Sequence, residues 1–280
     1  MTERHAASRT ILITGCSSGI GRDAAHALRA RGWRVVAACR KPADCERLRA
    51  EGFDAPLLDY ERPETIERGF EAAMAATGGR LDALFNNGAY AIPGLVEDLP
   101  PAALRAILEA NLVGWHDLTR RALAPMRTRG AGRIVQCSSV LGYVAAPWRG
   151  AYVATKHALE GLTDCLRLEL RGSGIHVVLV EPGPIATRFR ENARAEFERW
   201  IPWEASVHRD RYRALLDRFE DAAPDRWELP PAAVTARVVC ALEAPRPRAR
   251  YRVTMPAKLA WGLRRSLPTR ALDALLARTN

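Results

Sequence analysis

Tyr152 and Lys156 stand four residues apart in the run Ala151-Tyr152-Val153-Ala154-Thr155-Lys156, and Ser139 lies thirteen residues before the tyrosine. On a helix, positions i and i+4 share one face, which would bring the phenol and the ammonium together. A free phenol loses its proton near pH ~10. An ammonium about 4 Å away favours the phenolate by roughly 4 kcal/mol at an effective dielectric near 20. At about 1.4 kcal/mol per unit, the phenol pKa falls by up to about three units before desolvation opposes it. Such a tyrosine gives and takes a proton near neutral pH, as acid–base catalysis requires. A Tyr-x3-Lys pair alone is also the solvated face of many ordinary helices. Composition adds a pointer, because the chain has only three lysines, Lys41, Lys156 and Lys258, among 42 basic residues. A lysine in so arginine-rich a chain suggests that a compact ammonium is wanted at 156.

A second constellation lies near the start of the chain. Residues 10–21 read Thr-Ile-Leu-Ile-Thr-Gly-Cys-Ser-Ser-Gly-Ile-Gly, an apolar run entering a turn with Gly15, Gly19 and Gly21, followed by a helix-compatible segment at 22–31. Glycines there let the backbone turn tightly and approach a phosphate, while the next helix offers its free N–H groups and positive dipole end to a pyrophosphate. A strand before the turn and a helix after it are the context that gives a glycine loop this meaning.

The elements that must position these groups alternate along the chain. Strand candidates fall at 10–14, 34–39, 55–58, 83–86, 133–138, 176–181 and 251–254, with helical stretches between them that include 64–76, 101–128 and 152–171. That alternation predicts an α/β fold: one Rossmann-type, doubly wound parallel sheet of about seven strands with helices on both faces. In such sheets the ligand sits beyond the carboxyl ends of the strands, where strand order reverses. Each motif falls at such an end or in the loop or helix that follows.

Together these segments resemble the short-chain dehydrogenase/reductase family. Its Thr-Gly-x3-Gly-Ile-Gly turn is matched by residues 14–21, its Tyr-x3-Lys by Tyr152 and Lys156, and its serine by Ser139. Its helix asparagine is matched by Asn111 and its Pro-Gly-x3-Thr loop by residues 182–187; the family's Asn-Asn-Ala-Gly appears with its last two residues exchanged, as Asn86-Asn87-Gly88-Ala89. The resemblance covers residues 9–190 and is nearest in texture to the hydroxysteroid- and retinol-dehydrogenase-like branch. It implies that Tyr152 exchanges a proton with a carbonyl or alcohol oxygen as hydride moves to or from a nicotinamide. Lys156 would lower the tyrosine pKa and hold the nicotinamide ribose, Ser139 would bond the substrate oxygen, and Asn111 would hold a water linking Lys156 to solvent. Cofactor contacts would come from Gly15, Ser17, Ser18, Gly19, Ile20, Gly21, Asp59, Asn87, Tyr152, Lys156, Pro182, Gly183, Ile185 and Thr187. The resemblance also implies a homodimer or homotetramer.

After the second strand candidate stand Arg40 and Lys41, where an Asp or Glu would hold an unphosphorylated ribose. Two cations suit a 2′-phosphate, so NADP(H) is favoured over NAD(H). Residues 188–229, which the resemblance implies form a helical substrate lid, carry Phe189, Phe197, Trp200, Trp203, Tyr212, Phe219 and Trp227. Tyr143 and Trp148, in a region the resemblance assigns to the substrate cleft, lie between Ser139 and Tyr152. They read either as aromatic walls for a bulky apolar carbonyl or alcohol, such as a steroid, retinoid or long-chain aldehyde, or as the lid's own small core.

The remaining composition sets bounds. With 280 residues, 48% of them hydrophobic, the chain builds one large domain, and it has no apolar run of membrane-spanning length. Residues 1–5 lead into no signal-like core, and the six cysteines lack metal-ligand spacing, so no metal site and a cytoplasmic setting with reduced thiols are expected. Most of the net charge of +10 sits in residues 244–280, where nine cations face Asp273 alone. The extension at 256–280 reads as basic and amphipathic, open to peripheral contact with an anionic membrane, to a subunit contact, or to solvent. No nucleic-acid recognition motif accompanies the charge. Two functions compete: an NADP(H)-dependent oxidoreductase, and a catalytically silent NADP(H)-binding regulator or scaffold on the same fold.

Overall fold

Runs such as Thr10–Ile13 and Ala83–Asn86 are buried along their whole length, as strands of a parallel sheet covered on both faces must be. In the computed structural model, which describes residues 8–220 and 226–277, six parallel strands form one sheet in the order β2-β1-β3-β4-β5-β6. They are β1 (Thr10–Ile13), β2 (Arg34–Ala37), β3 (Ala83–Asn86), β4 (Gly132–Cys137), β5 (Ile175–Glu181) and β6 (Arg250–Arg252). The chain winds outward from β1 to β2 and then starts again on the other side at β3. The crevice between the carboxyl ends of β1 and β3 is therefore the switch point where ligands bind.

The expected strand at 55–58 does not form. That segment runs beside β2 but meets it only at two isolated bridges, Val36 with Asp54 and Cys39 with Leu57. Pro56 has no N–H to give a ladder, so the sheet has six strands rather than seven.

Helices flank the sheet: α1 (Gly19–Ala30), α2 (Pro42–Ala50), α3 (Pro63–Ala76), α4 (Pro101–Leu108), α5 (Gly114–Arg129) and α6 (Gly150–Glu169), then α9 (Pro231–Glu243), which packs on α1. Helix α1 begins at Gly19, not Arg22, so the last part of the glycine turn is already its first helical turn. The stretch expected as one helix at 101–128 contains a π-helical turn at Glu109–Val113, which joins α4 to α5 and holds Asn111.

The segment expected as a lid comprises α7 (Phe189–Trp200) and α8 (Arg209–Glu220). Its two ends are stitched together: Ile185 bridges Leu229, the Ala186 N–H donates to the Leu229 carbonyl at 2.9 Å, and the Leu229 N–H donates to that of Pro184 at 3.2 Å. After β6 the chain closes with a helical hairpin, α10 (Met255–Ser266) and α11 (Thr269–Leu276). Strand β6 is pinned by Arg250, which pairs with Glu160, Asp164 and Glu181, and by Arg252, whose Nε lies 3.1 Å from Glu181. No helix among the described residues is long and apolar enough to cross a membrane.

Candidate active site

Strand β4 ends at Cys137, and the two serines that follow lie against the first turns of α6. Four-residue spacing on α6 puts Tyr152 and Lys156 on one buried face. The Lys156 ammonium donates to the Cys137 carbonyl at 2.8 Å and sits 4.3 Å from the centre of the Trp115 ring, with the Tyr152 ring centre at 5.5 Å. Only 1% of Lys156 is exposed, and burial pushes its pKa down to about 8. Burial also raises Tyr152 above the usual phenol range, opposed by a hydrogen bond with the Ser139 side chain. The downward pull expected from Lys156 is not what sets the phenol here: desolvation wins, because the ammonium is turned to a carbonyl and an indole face. Ser139 also accepts from the Leu141 N–H at 3.1 Å, which fixes the short turn after β4.

Asn111 is fully buried, and its side chain is committed to protein. Its amide donates to the Tyr90 carbonyl at 2.8 Å, accepts from the Tyr90 N–H at 3.2 Å, and reaches Thr155 on α6 at 3.4 Å. It braces the helix that carries Tyr152 and Lys156 rather than facing the cavity. A π turn widens the helix locally and is common at functional positions.

On the cofactor side, Gly15 has φ +67°, and a Cβ there would stand 2.6 Å from the Gly88 Cα; Gly19 has φ +54°, and its Cβ would stand 2.8 Å from Thr187 Cγ2. Only glycine permits both the left-handed backbone and that approach. Thr14 clamps the turn to the end of β3, accepting from the Asn87 N–H at 3.0 Å and from Tyr60 Oη at 2.9 Å, while Asn87 Nδ2 donates to the Thr14 carbonyl at 3.2 Å. The exchanged Gly88-Ala89 pair leaves this clamp intact. Helix α1 has no side-chain cap and no acid in its first turn. Its leading N–H groups are thus left for an anion, which fits the pyrophosphate of a dinucleotide.

One cavity of about 670 Å³ joins these parts. Gly15, Ser17, Ser18, Gly19, Ile20, Arg40, Asp59 and Asn87 line one end; Ser139, Tyr152 and Lys156 line its middle with Pro182, Gly183, Ile185 and Thr187. Three residues predicted for the site lie off this surface. Gly21 is buried inside the turn, Asn111 stands behind Tyr90, and Lys41 is exposed just before α2, leaving Arg40 as the cation of that pair at the cavity wall.

The aromatic lid residues go mostly elsewhere. Among the described residues, Phe189 alone of the lid aromatics lines the cavity, edge-on to Tyr152 at 5.4 Å between ring centres. Phe197, Tyr212 and Trp148 are buried in a second apolar core beneath the lid, with Trp200 and Trp203 packed against it; the Phe219 side chain lies outside the described residues. Tyr143 bonds the Ala257 carbonyl at 2.6 Å. Much of the distal wall is instead aliphatic and comes from Leu259, Leu263, Leu272, Leu275 and Leu276 of the C-terminal hairpin. Sequence reading missed these leucines as site residues and missed Trp115. The spacing 256, 259, 260, 263 was a visible signal of one helix face, whereas nothing local marks Trp115 as the partner of Lys156.

The description "short chain dehydrogenase" belongs to the family model that matches residues 9–198. The chain is 40% identical to the uncharacterized oxidoreductase YbbO of Escherichia coli strain K12, over 96% of this chain and 94% of that one. It is 31% identical to retinol dehydrogenase 16 of Mus musculus, over 97% and 89% of the two chains. It is also 31% identical to an NADPH-dependent 3-dehydrocapnine reductase of Ornithobacterium rhinotracheale, over 95% of each. A short-chain dehydrogenase/reductase from Burkholderia phymatum, solved in complex with NAD, superposes with a TM-score of 0.77 at 25% identity, over 96% of this chain and 95% of that one.

Proposed function

The chain belongs to the short-chain dehydrogenase family, and from that premise we propose that it is an NADP(H)-dependent oxidoreductase acting on a bulky apolar carbonyl or alcohol, with Tyr152 as acid–base group. The observation that carries this reading is the single cavity shared by the glycine turn, Ser139, Tyr152 and Lys156. When bound, the dinucleotide supplies or accepts the hydride. Its pyrophosphate would lie on the N-terminus of α1, its adenosine end by Arg40 and Asp59, and its nicotinamide end by Lys156 and residues 182–187.

In the reductive direction, Ser139 donates a hydrogen bond to the carbonyl oxygen, stabilising charge where it develops. Tyr152 Oη then gives its proton to that oxygen; in alcohol oxidation it takes the proton back. Tyr152 carries its proton at neutral pH, as donation requires, and burial makes it a weaker acid than a free phenol, so the shift sets no direction of reaction. Lys156, held by Cys137 and Trp115, places a cation behind the phenol as its proton leaves. Asn111 holds the helix pair in register through Tyr90 and Thr155.

Preference for NADP(H) rests on Arg40, which lines the adenosine end of the cavity and lies 5.9 Å from the Tyr90 ring centre. A guanidinium there offers a fork of donors to a 2′-phosphate. The test follows absorbance at 340 nm with NADPH and with NADH, against apolar ketones and aldehydes that include steroid and retinoid carbonyls. We expect NADPH to be preferred, and Arg40→Ser to lose about 10- to 100-fold in kcat/KM with NADPH and little with NADH. Equal loss with both cofactors would remove the phosphate-reading role. Tight NADPH binding with no turnover on any carbonyl or alcohol would favour a silent binding protein.

A further inference from the structure

The C-terminal hairpin presents two faces of different character. On α10, Pro256, Leu259, Ala260 and Leu263 follow the i, i+3, i+4, i+7 spacing of one helix face, and on α11 Leu272, Leu275 and Leu276 do the same; all line the catalytic cavity. Lys258 and Arg265 fall on the opposite side of α10 and are exposed. Little holds the leucine face from within: Ala257 and Leu272 are the hairpin's buried residues, while Leu259 is 55% and Leu275 41% exposed. This apolar surface opens into the same space as Tyr152.

The hairpin is also tied to the catalytic loop. Thr254 caps α10 by accepting from the Ala257 N–H at 3.3 Å. Tyr143, four residues after Ser139, donates to the Ala257 carbonyl at 2.6 Å. Trp261 is held between Arg252, at 4.0 Å from its ring centre, and Arg265, at 4.5 Å. Position is thus transmitted from the reacting centre to the leucines through short, ordered links.

We propose that the leucine face of α10 and α11 is a subsite for the hydrocarbon chain of the substrate, the part remote from its carbonyl. This deepens the oxidoreductase reading and rests on it. The face offers leucine, proline and alanine side chains and no side-chain hydrogen-bond donor or acceptor, so it selects for apolar length and not for a polar head. The occupant follows from continuity: a molecule whose carbonyl oxygen sits at Ser139 and Tyr152 extends along the one cavity toward Leu263, Leu275 and Leu276. The cations on the outer side of the hairpin leave the leucines to the substrate.

The test compares the NADPH-loaded full-length protein with Leu259→Asn, Leu275→Asn and the double variant. Both positions are half exposed, so the fold tolerates the change, and circular dichroism with NADPH fluorescence titration checks it. Straight-chain aldehydes of about three to ten carbons are the substrates. Each added methylene is expected to raise wild-type kcat/KM by about three- to fourfold until the subsite is filled. The double variant should lower the ten- to three-carbon ratio of kcat/KM by tenfold or more, through KM rather than kcat. Decanol binding to the NADP-loaded protein, followed by calorimetry, gives a readout without turnover.

An unchanged chain-length slope in the double variant, with turnover intact, overturns the subsite and leaves the oxidoreductase reading standing. Leucine-dependent decanol binding without turnover of any aldehyde keeps the subsite and removes the oxidoreductase reading. Loss of sedimentation with anionic phosphatidylserine vesicles, at unchanged slope, would assign the leucines to a membrane and overturn the proposal.

Discussion

Around Tyr152 and Lys156, position is set by hydrogen bonds to main chain: Lys156 to the Cys137 carbonyl, Asn111 to both polar groups of the Tyr90 backbone, Thr14 to the amide of Asn87. Around Leu259 and Leu275, it is set by two helices that bury little beyond Ala257 and Leu272. The first region is a parallel sheet with its helices, closed to solvent; the second is a helical cover whose apolar face is turned to the cavity. Proton transfer needs its groups held within a fraction of an ångström, and only a dense backbone lattice gives that. Admitting a hydrocarbon needs area and shape, which exposed aliphatic side chains supply. One cavity joins two regions with different demands on precision.

Substitutions should divide along the same line. Tyr152→Phe removes one oxygen from the precise region and should lower kcat about 1,000-fold, with NADPH affinity unchanged by fluorescence titration. Full turnover in that variant would break the comparison at its base. Lys156→Met should also abolish turnover while raising stability at pH 7 by about 1–2 kcal/mol, read by thermal unfolding. The sign follows from burial. With its pKa at about 8 when folded and an ordinary value of 10.5, the unfolded chain binds the extra proton between those values. Wild-type stability from this group is therefore lowest below pH 8 and recovers up to about 10.5, so the advantage of the methionine variant fades over that range.

In the cover, Tyr212→Phe loses bonds to the Leu95 N–H at 3.0 Å and to Asp98 at 2.8 Å, which dock α8 onto the body. A cost of about 1–2 kcal/mol is expected, seen as faster proteolysis within the lid and a higher KM for substrate at unchanged NADPH affinity. An equal fall in NADPH affinity would show the two regions to be coupled. Smallest of all, Lys41→Ala should change the KM for NADPH by less than about twofold, since the ammonium lies off the cavity.

Where most of the precise region lies was legible in the sequence, because its placement depends on residue types at fixed spacings: glycines that must turn, and a tyrosine one helical turn before a lysine. What escaped notice has physical causes. Hydropathy at 55–58 says strand, but Pro56 cannot give a ladder its N–H, and the segment stops at two bridges. Glycine's low helix propensity hid the start of α1 at Gly19. Nothing local in Asn111 or its neighbours announces a π turn, which arises from packing. Hydrophobicity marked the lid aromatics as buried but not where, and Phe197 and Tyr212 went to the core under the lid. The hairpin's periodicity was plain, yet only the fold shows that its apolar side meets the cavity.

The bridge between Ile185 and Leu229 has a consequence for how such an enzyme diversifies. The lid departs from the body and returns to it at adjacent points, so the rest of the chain sees it as a closed loop. Loop-closure entropy changes slowly with length, so a longer or shorter cover costs little provided the two ends still meet. A lid exchanged between Arg188 and Leu229 would keep the cofactor-side loop through Thr187, but it would have to supply new partners for Tyr152 and Trp148, which now pack against Phe189 and Tyr212. The cover is in this sense a cassette, exchangeable in length as a unit so long as the side chains that meet Tyr152 and Trp148 are matched.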